Sequence, residues 1–259
     1  MITIAVVNQK GGVAKTTTSV NLAVGLAHGG KRVLLIDLDP QAHSTLALRI
    51  DREQIAAQQT VASLFYDQPL TGILRPTGEP NLTLVPASIH LATAVENLYS
   101  VIFKEVKLSK TLTRVQSEFD YVILDSGPNL GVLSTNAIVA ADKVLIPTQL
   151  SMYSLDGLSA LLDTIDTIKQ GGEGHDYRIL LTKVKGSGKE RQAAAWHILS
   201  PLADRILKTQ IRETEAVEKN QMSEDSESAV AVVLNRKWAN RGAEDYQNLV
   251  REITQLWHD

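Results

Sequence analysis

Short, nearly continuous apolar runs recur along the chain, each closed by polar or glycine residues and followed by helical spacing. They are Ile2 to Val7, Val33 to Ile36, Leu82 to Val85, Tyr121 to Leu124, Val144 to Ile146 and Tyr177 to Val184. Runs this short and nearly all apolar suit strands buried on both faces of a parallel sheet. Between them the spacing predicts a helix through His28, ended by Gly29-Gly30. Further helices are expected over 60–66, 90–99, 104–115, 154–169 and 238–257. In the helix over 154–169, Leu155, Leu158, Leu161, Leu162 and Ile165 fall at core spacing. In the last, Tyr246, Leu249, Val250, Ile253, Leu256 and Trp257 form one apolar stripe. Strands alternating with helices predict an α/β fold: a doubly wound, mostly parallel sheet with helices on both faces.

Composition narrows the picture. A chain of 259 residues with 44% hydrophobic content can build a sizeable core, and residues 1–259 are expected to form a single domain. Neither a membrane-spanning run nor a signal-peptide pattern is seen, so a cytoplasmic location is expected. With no cysteine, disulfides, thiolate zinc and thiolate iron–sulfur clusters are excluded. The net charge of −3 offers no global attraction to nucleic acid or acidic lipid, so any such contact needs a local patch.

Candidate chemistry sits at the ends of the apolar runs. After Val7 comes Asn8-Gln9-Lys10-Gly11-Gly12-Val13-Ala14-Lys15-Thr16-Thr17. A glycine turn between a strand and a helix lets backbone N–H groups approach an anion, and the helix N-terminus adds partial positive charge. In such a cradle Lys15 reaches the β- and γ-phosphates and the Thr16 hydroxyl holds Mg²⁺. The competing reading is a plain turn with solubilising lysines. The strict P-loop pattern fails at Gln9 and Ala14, where glycines belong. After Ile36 come Asp37 and Asp39 in Asp37-Leu38-Asp39-Pro40-Gln41; after Leu124 comes Asp125, in Asp125-Ser126-Gly127-Pro128. Acids at the carboxyl ends of buried strands lie where open α/β sheets bind ligands. Their competing role is to solvate a strand end and cap a helix near Ser44. His43 and His90 have no ligand-spaced partner, so a surface or hydrogen-bond-satisfied role is expected for them and not metal binding.

The segment with Lys10 ahead of the double glycine resembles the deviant Walker A motif, K-G-G-x-G-K-T-T, of the ParA/MinD family of P-loop ATPases. Asp37-Leu38-Asp39-Pro40-Gln41 matches that family's D-x-D-P-Q switch I. The Asp125 strand end resembles its Walker B and switch II, with Gly127 where the family usually has proline. The resemblance implies ATP and Mg²⁺ as cofactors, with Lys10, Gly11, Gly12, Val13, Ala14, Lys15, Thr16 and Thr17 around the nucleotide. It implies Lys10 reaching the partner's ATP in a homodimer, Lys15 on the phosphates and Asp39 positioning the attacking water. Thr16, Asp37 and Asp125 then surround the metal, and Thr182 lies near the adenine. Nitrogenase iron protein and its relatives share this loop but need cysteines, so they are excluded.

Between Lys183 and Arg212 the chain carries Lys183, Lys185, Lys189, Arg191, Arg205, Lys208 and Arg212 against only Glu190 and Asp204. Such a stretch can engage phosphates without reading sequence, or can be a solvated face. The resemblance implies nonspecific DNA binding here, nucleoid association and a cargo adaptor protein of ParB type. The resemblance is to the short form, in which no N-terminal helix-turn-helix extension is expected. A relative that positions protein cargo, such as carboxysomes (McdA-like) or chemotaxis clusters, fits the same residues. A MinD-like division regulator on the membrane is a third reading. It fits less well, because no basic amphipathic tail follows the last helix, and no membrane partner is expected.

Overall fold

The computed structural model describes residues 1–169, 176–185, 196–213 and 241–258, with side chains described for all of these except 152–156 and 169. Its strands are β1 (Ile2–Val6), β2 (Val33–Leu38), β3 (Arg75–Pro76), β4 (Leu82–Val85), β5 (Tyr121–Ser126), β6 (Lys143–Gln149), β7 (Asp176–Val184) and β8 (Ile206–Arg212). They form one sheet in the order β3-β4-β2-β5-β1-β6-β7-β8. Every neighbouring pair is parallel except β3–β4. Among the described residues, the α-helices are α1 (Lys15–His28), α2 (His43–Ala47), α3 (His90–Leu98), α4 (Lys107–Leu112), α5 (Val132–Ala140), α6 (Met152–Lys169) and α7 (Arg241–Leu256), and 196–199 are also helical.

Alternation along the strands divides the core into two layers. Ile2, Ile4 and Val6 of β1 pack with Val20 to Leu26 of α1 and with Tyr246, Leu249 and Ile253 of α7. Ala5 and Val7 face the other layer, with Leu91, Leu108, Ile138, Leu161 and Ile165. Both faces of the sheet are therefore covered, as the continuous apolar runs require. The α7 stripe is spent on this packing: Tyr246, Leu249, Ile253 and Trp257 are buried, whereas Leu256 points outward, 44% exposed.

Three segments differ from expectation. The helix expected over 104–115 is a 3-10 turn (Lys104–Val106), the short α4 and a second 3-10 turn (Thr113–Val115). Its Ser109 and Thr111 hydroxyls donate to the Val106 and Lys107 carbonyls, and such back-bonding competes with regular helix. The helix expected over 60–66 is a 3-10 segment, Val61–Tyr66. Strand β8 was not anticipated. It is an outer strand with one solvated face, and Lys208 and Gln210 interrupt its apolar pattern. The expected helix residues 238–240 lie outside the described residues.

Candidate functional site

Register assembles the site. Parallel pairing sets Asp37 opposite Asp125 and Val6 opposite Asp125. Three strand ends thus stand side by side, roughly 5 Å apart, where β1 gives way to the glycine loop. Among the described residues, no cluster of three His, Cys, Asp or Glu side chains could hold a metal by itself.

The loop is braced from below. Asn8 donates to the Pro147 carbonyl at 2.8 Å and accepts from Lys10 N at 2.9 Å. Gln149 donates to the Gly12 carbonyl at 3.0 Å. Gln9, standing where a P-loop has glycine, donates to the Gly157 carbonyl of α6 at 2.9 Å. A Cβ at Gly157 would lie 2.7 Å from that Gln9 amide nitrogen, so the glycine is what admits the contact. Gly12 has φ +74° and Ala14 has φ +66°. The usual glycine at position 14 is thus explained: the loop needs left-handed backbone there, and this chain adopts it with alanine.

Lys15 is buried, and its Nζ folds back onto the Lys10 carbonyl at 2.9 Å. Burial lowers its pKa, opposed by the charges of Asp125 and Asp39. Lys10 is half-buried, while Gly11 and Gly12 are exposed.

The acids are fully or nearly buried. Asp37 accepts from Thr45 N at 2.9 Å, Thr45 Oγ1 at 2.7 Å and Asp39 N at 3.1 Å. Asp125 accepts from Ser19 at 2.8 Å and Ser44 at 2.7 Å, and the Thr16 hydroxyl also reaches it. Burial, and then the charge of Asp125, push Asp37 up to about 7. Burial raises Asp125 as well. Two carboxylates held this way in low dielectric favour a shared proton or a cation. The donors beside them, carboxylate and threonine oxygens, are hard ligands suited to Mg²⁺. A P-loop Mg²⁺ typically takes one or two carboxylates and completes its shell with water and phosphate, and this donor set fits that pattern. Asp39 is 7% exposed, with one carboxylate oxygen accepting from Gln41 N at 2.9 Å. Gly127 lies against it: a Cβ there would come 3.3 Å from the Asp39 carboxyl carbon.

Sequence reasoning missed the hydroxyls that hold this acid pair, Ser19, Ser44 and Thr45. All three sit in the helices that follow the loop and switch I; Thr45 is eight residues from the Asp37 it holds, a local signal, whereas Ser19 and Ser44 lie 106 and 81 residues from Asp125 and gave none. Thr45 Oγ1 also accepts from Ala87 N, which ties α2 to the end of β4.

Thr182, expected beside the adenine, is fully buried and donates to the Val13 carbonyl at 3.0 Å. Its hydroxyl braces the loop from underneath. Of the basic residues, Lys183 and Lys185 follow Thr182 at the same sheet edge as the loop, with Lys185 3.4 Å from Glu213. Lys208 is exposed on β8. Arg212 is engaged with α7, contacting Asp245 and reaching Glu244 at 3.0 Å. Arg205 bridges to Asp176 at 3.4 Å and stacks on Tyr177. Lys189 and Arg191 lie outside the described residues, as does most of the acidic stretch from 213 to 227. No helix among the described residues is long and apolar enough to cross a membrane.

Comparison with known proteins agrees with this geometry. A family model described as an AAA domain matches residues 1–175. The chain is 36% identical over 253 residues to the sporulation initiation inhibitor protein Soj of Bacillus subtilis, covering 96% of this chain and 97% of Soj. It is 44% identical over 168 residues to the chromosome partitioning protein ParA of Myxococcus xanthus, covering 65% of this chain and 59% of that protein. Among solved structures, apo McdA of Cyanothece superposes with TM-score 0.84 at 25% identity, covering 98% of each chain. Buried acids at adjoining strand ends, a loop carrying an early lysine and near full-length similarity to Soj lead to one conclusion: the chain belongs to the ParA-type P-loop ATPases.

Proposed function

We propose that this protein binds ATP–Mg²⁺ as a sandwich homodimer, binds DNA without sequence preference in that state, and is released when a partner protein stimulates slow hydrolysis. The observation that carries the reading is the convergence of Lys10, Lys15, Asp37, Asp39 and Asp125 on one sheet edge. Backbone amides of residues 11–17 cradle the phosphates. Lys15 leaves the Lys10 carbonyl for the β- and γ-phosphates. Lys10, on the exposed side of the loop, serves the partner subunit's nucleotide. Thr16 ligates Mg²⁺, while Asp37 and Asp125 hold its water shell. Asp39 orients the attacking water. Positioning and charge stabilisation dominate phosphoryl transfer, so a carboxylate suffices without being a strong base.

Lys183, Lys185, Lys189, Arg191 and Lys208 supply the DNA-facing charge in this reading. Arg212 contributes through the placement of β8, since its guanidinium is already paired. Differential affinity of the nucleotide states for DNA makes the cycle a switch. The cargo is a plasmid or chromosome, recognised through an adaptor of ParB type, and the protein works on the nucleoid. A second reading, positioning of a protein cargo, is favoured by the superposition on McdA.

The test is a mobility shift on random-sequence DNA at fixed low salt, without nucleotide, with ADP and with ATP–Mg²⁺. The expected result is binding with ATP–Mg²⁺ only. No binding in any state would overturn the DNA-bound reading and return the basic stretch to a solvated face.

A further inference from the structure

Beside switch I, lined by Pro40 and Gln41 and by no residue of the glycine loop, lies a cavity of about 370 Å³. Gln41, Arg52, Ile55, Ser88 and Ile89 are on its wall. Two observations there are unexplained by the nucleotide site. Ser88 is 3% exposed, yet its hydroxyl has no hydrogen-bond partner. Arg52 forms no ion pair among the described residues; its guanidinium donates instead to the Gln41 backbone carbonyl. A buried unpaired hydroxyl costs about 1–3 kcal/mol, and a guanidinium on a neutral carbonyl is far from its best partner. The cavity also meets the start of α3 at Ile89 and His90, where Leu91 N and Ala92 N already donate to the Ser88 and Ile89 carbonyls, so the helix contributes the partial positive charge of its N-terminus and not those amides.

We propose that this cavity is a binding site for a small oxyanion, a carboxylate or phosphate group, held by Arg52 and Ser88 and backed by the start of α3. Ile55 and Ile89 give the site an apolar wall for the group that carries the anion. Glu53, at the rim, disfavours a highly charged ligand. Occupancy would act on switch I through one residue. Gln41 accepts from Arg52 with its carbonyl and donates to Asp39 with its amide. An anion is the stronger acceptor, so it draws Arg52 off Gln41 and loosens the residue that restrains Asp39. Binding itself does not depend on the nucleotide reading; only the consequence for Asp39 does.

The experiment is a methyl and amide NMR titration of the full chain, at constant ionic strength, with and without ADP–Mg²⁺. N-acetylaspartate serves as the mimic of a protein carboxylate and inorganic phosphate as the free oxyanion. The expected result is saturable movement of the Ile55 and Ile89 methyls and of the Gln41 amide, with Ile253 unmoved, for at least one probe. The probe that saturates at lower concentration identifies the source. Arg52→Ala is expected to weaken binding about tenfold or more, the scale of one charge-assisted bond. Ser88→Ala, a smaller change, weakens it about threefold. No saturable movement with either probe, or equal affinity in Arg52→Ala, overturns the proposal. A chain that fails to bind ADP yet shows the methyl shifts would overturn the nucleotide reading and leave this site standing.

Discussion

The buried acid pair makes the nucleotide-free protein less stable as pH rises. Asp37 has an ordinary carboxylate pKa near 3.8 when unfolded and about 7 in the fold. Its folded pKa is raised, so the folded state holds the proton more tightly than the unfolded chain. The linkage sign is therefore negative: stability is greatest below the unfolded pKa and is lost as pH climbs toward 7. Each unit of that interval is worth about 1.4 kcal/mol, so the loss from pH 5 to pH 7.5 is about 3 kcal/mol. Asp37→Asn removes the titration. It also turns an amide N–H₂ toward either Asp39 N or the two Thr45 donors, a cost of about 1–3 kcal/mol that does not vary with pH. Asp125, raised chiefly by its own burial, is coupled to Asp37, so the wild-type-minus-variant difference reports the titration of the pair. The assay is urea denaturation in EDTA across pH 5 to 8. The wild type is expected to be the more stable protein at the acid end and to lose that advantage by pH 7.5. With m near 3 kcal/mol/M, its midpoint falls by about 1 M relative to the variant. A wild-type-minus-variant difference that stays flat from pH 5 to 7.5 would refute the reasoning. Mg²⁺–ADP, by placing a cation beside the pair, is expected to flatten the wild-type profile.

Other perturbations test neighbouring parts of the argument. Ala14→Gly relieves left-handed strain and, after the entropy of the unfolded chain is counted, stabilises by about 0.5–1 kcal/mol, seen as a rise of roughly 2 °C in Tm. A lower Tm would show that the loop does not hold φ +66° at Ala14. Lys10→Ala keeps the fold by circular dichroism but loses ATP-dependent dimerisation or hydrolysis; an unchanged dimer with unchanged turnover removes the cross-subunit role. Asp39→Ala retains ATP and accumulates as a stable dimer in size-exclusion chromatography, and normal hydrolysis by that variant would discard the assignment. Asp245→Ala leaves Arg212 N and its guanidinium without their buried acceptor and destabilises by about 2–4 kcal/mol in thermal unfolding.

Much of this protein was legible in one dimension. Strands with nearly continuous apolar runs, such as Val33 to Ile36, state that both sheet faces are covered, because only a doubly covered strand can dispense with polar alternation. The Lys10 to Thr17 loop and the acids at 37, 39 and 125 could be read as one site, because in a parallel sheet successive strand ends point to a single edge. The α7 stripe was equally readable, since Tyr246, Leu249 and Ile253 recur at helical spacing. What the chain could not state in one dimension depends on partners distant in sequence. Strand β8 is defined by pairing with β7 and not by its own mixed pattern. The role of Thr182 follows from the Val13 carbonyl, 169 residues away, to which its hydroxyl donates. The protonation of Asp37 follows from a register that sets it against Asp125 and a burial that excludes water. Residue types and spacings specify which groups can do chemistry; distances, burial and the competition for hydrogen bonds decide which state each group holds, and these exist only once the chain has packed.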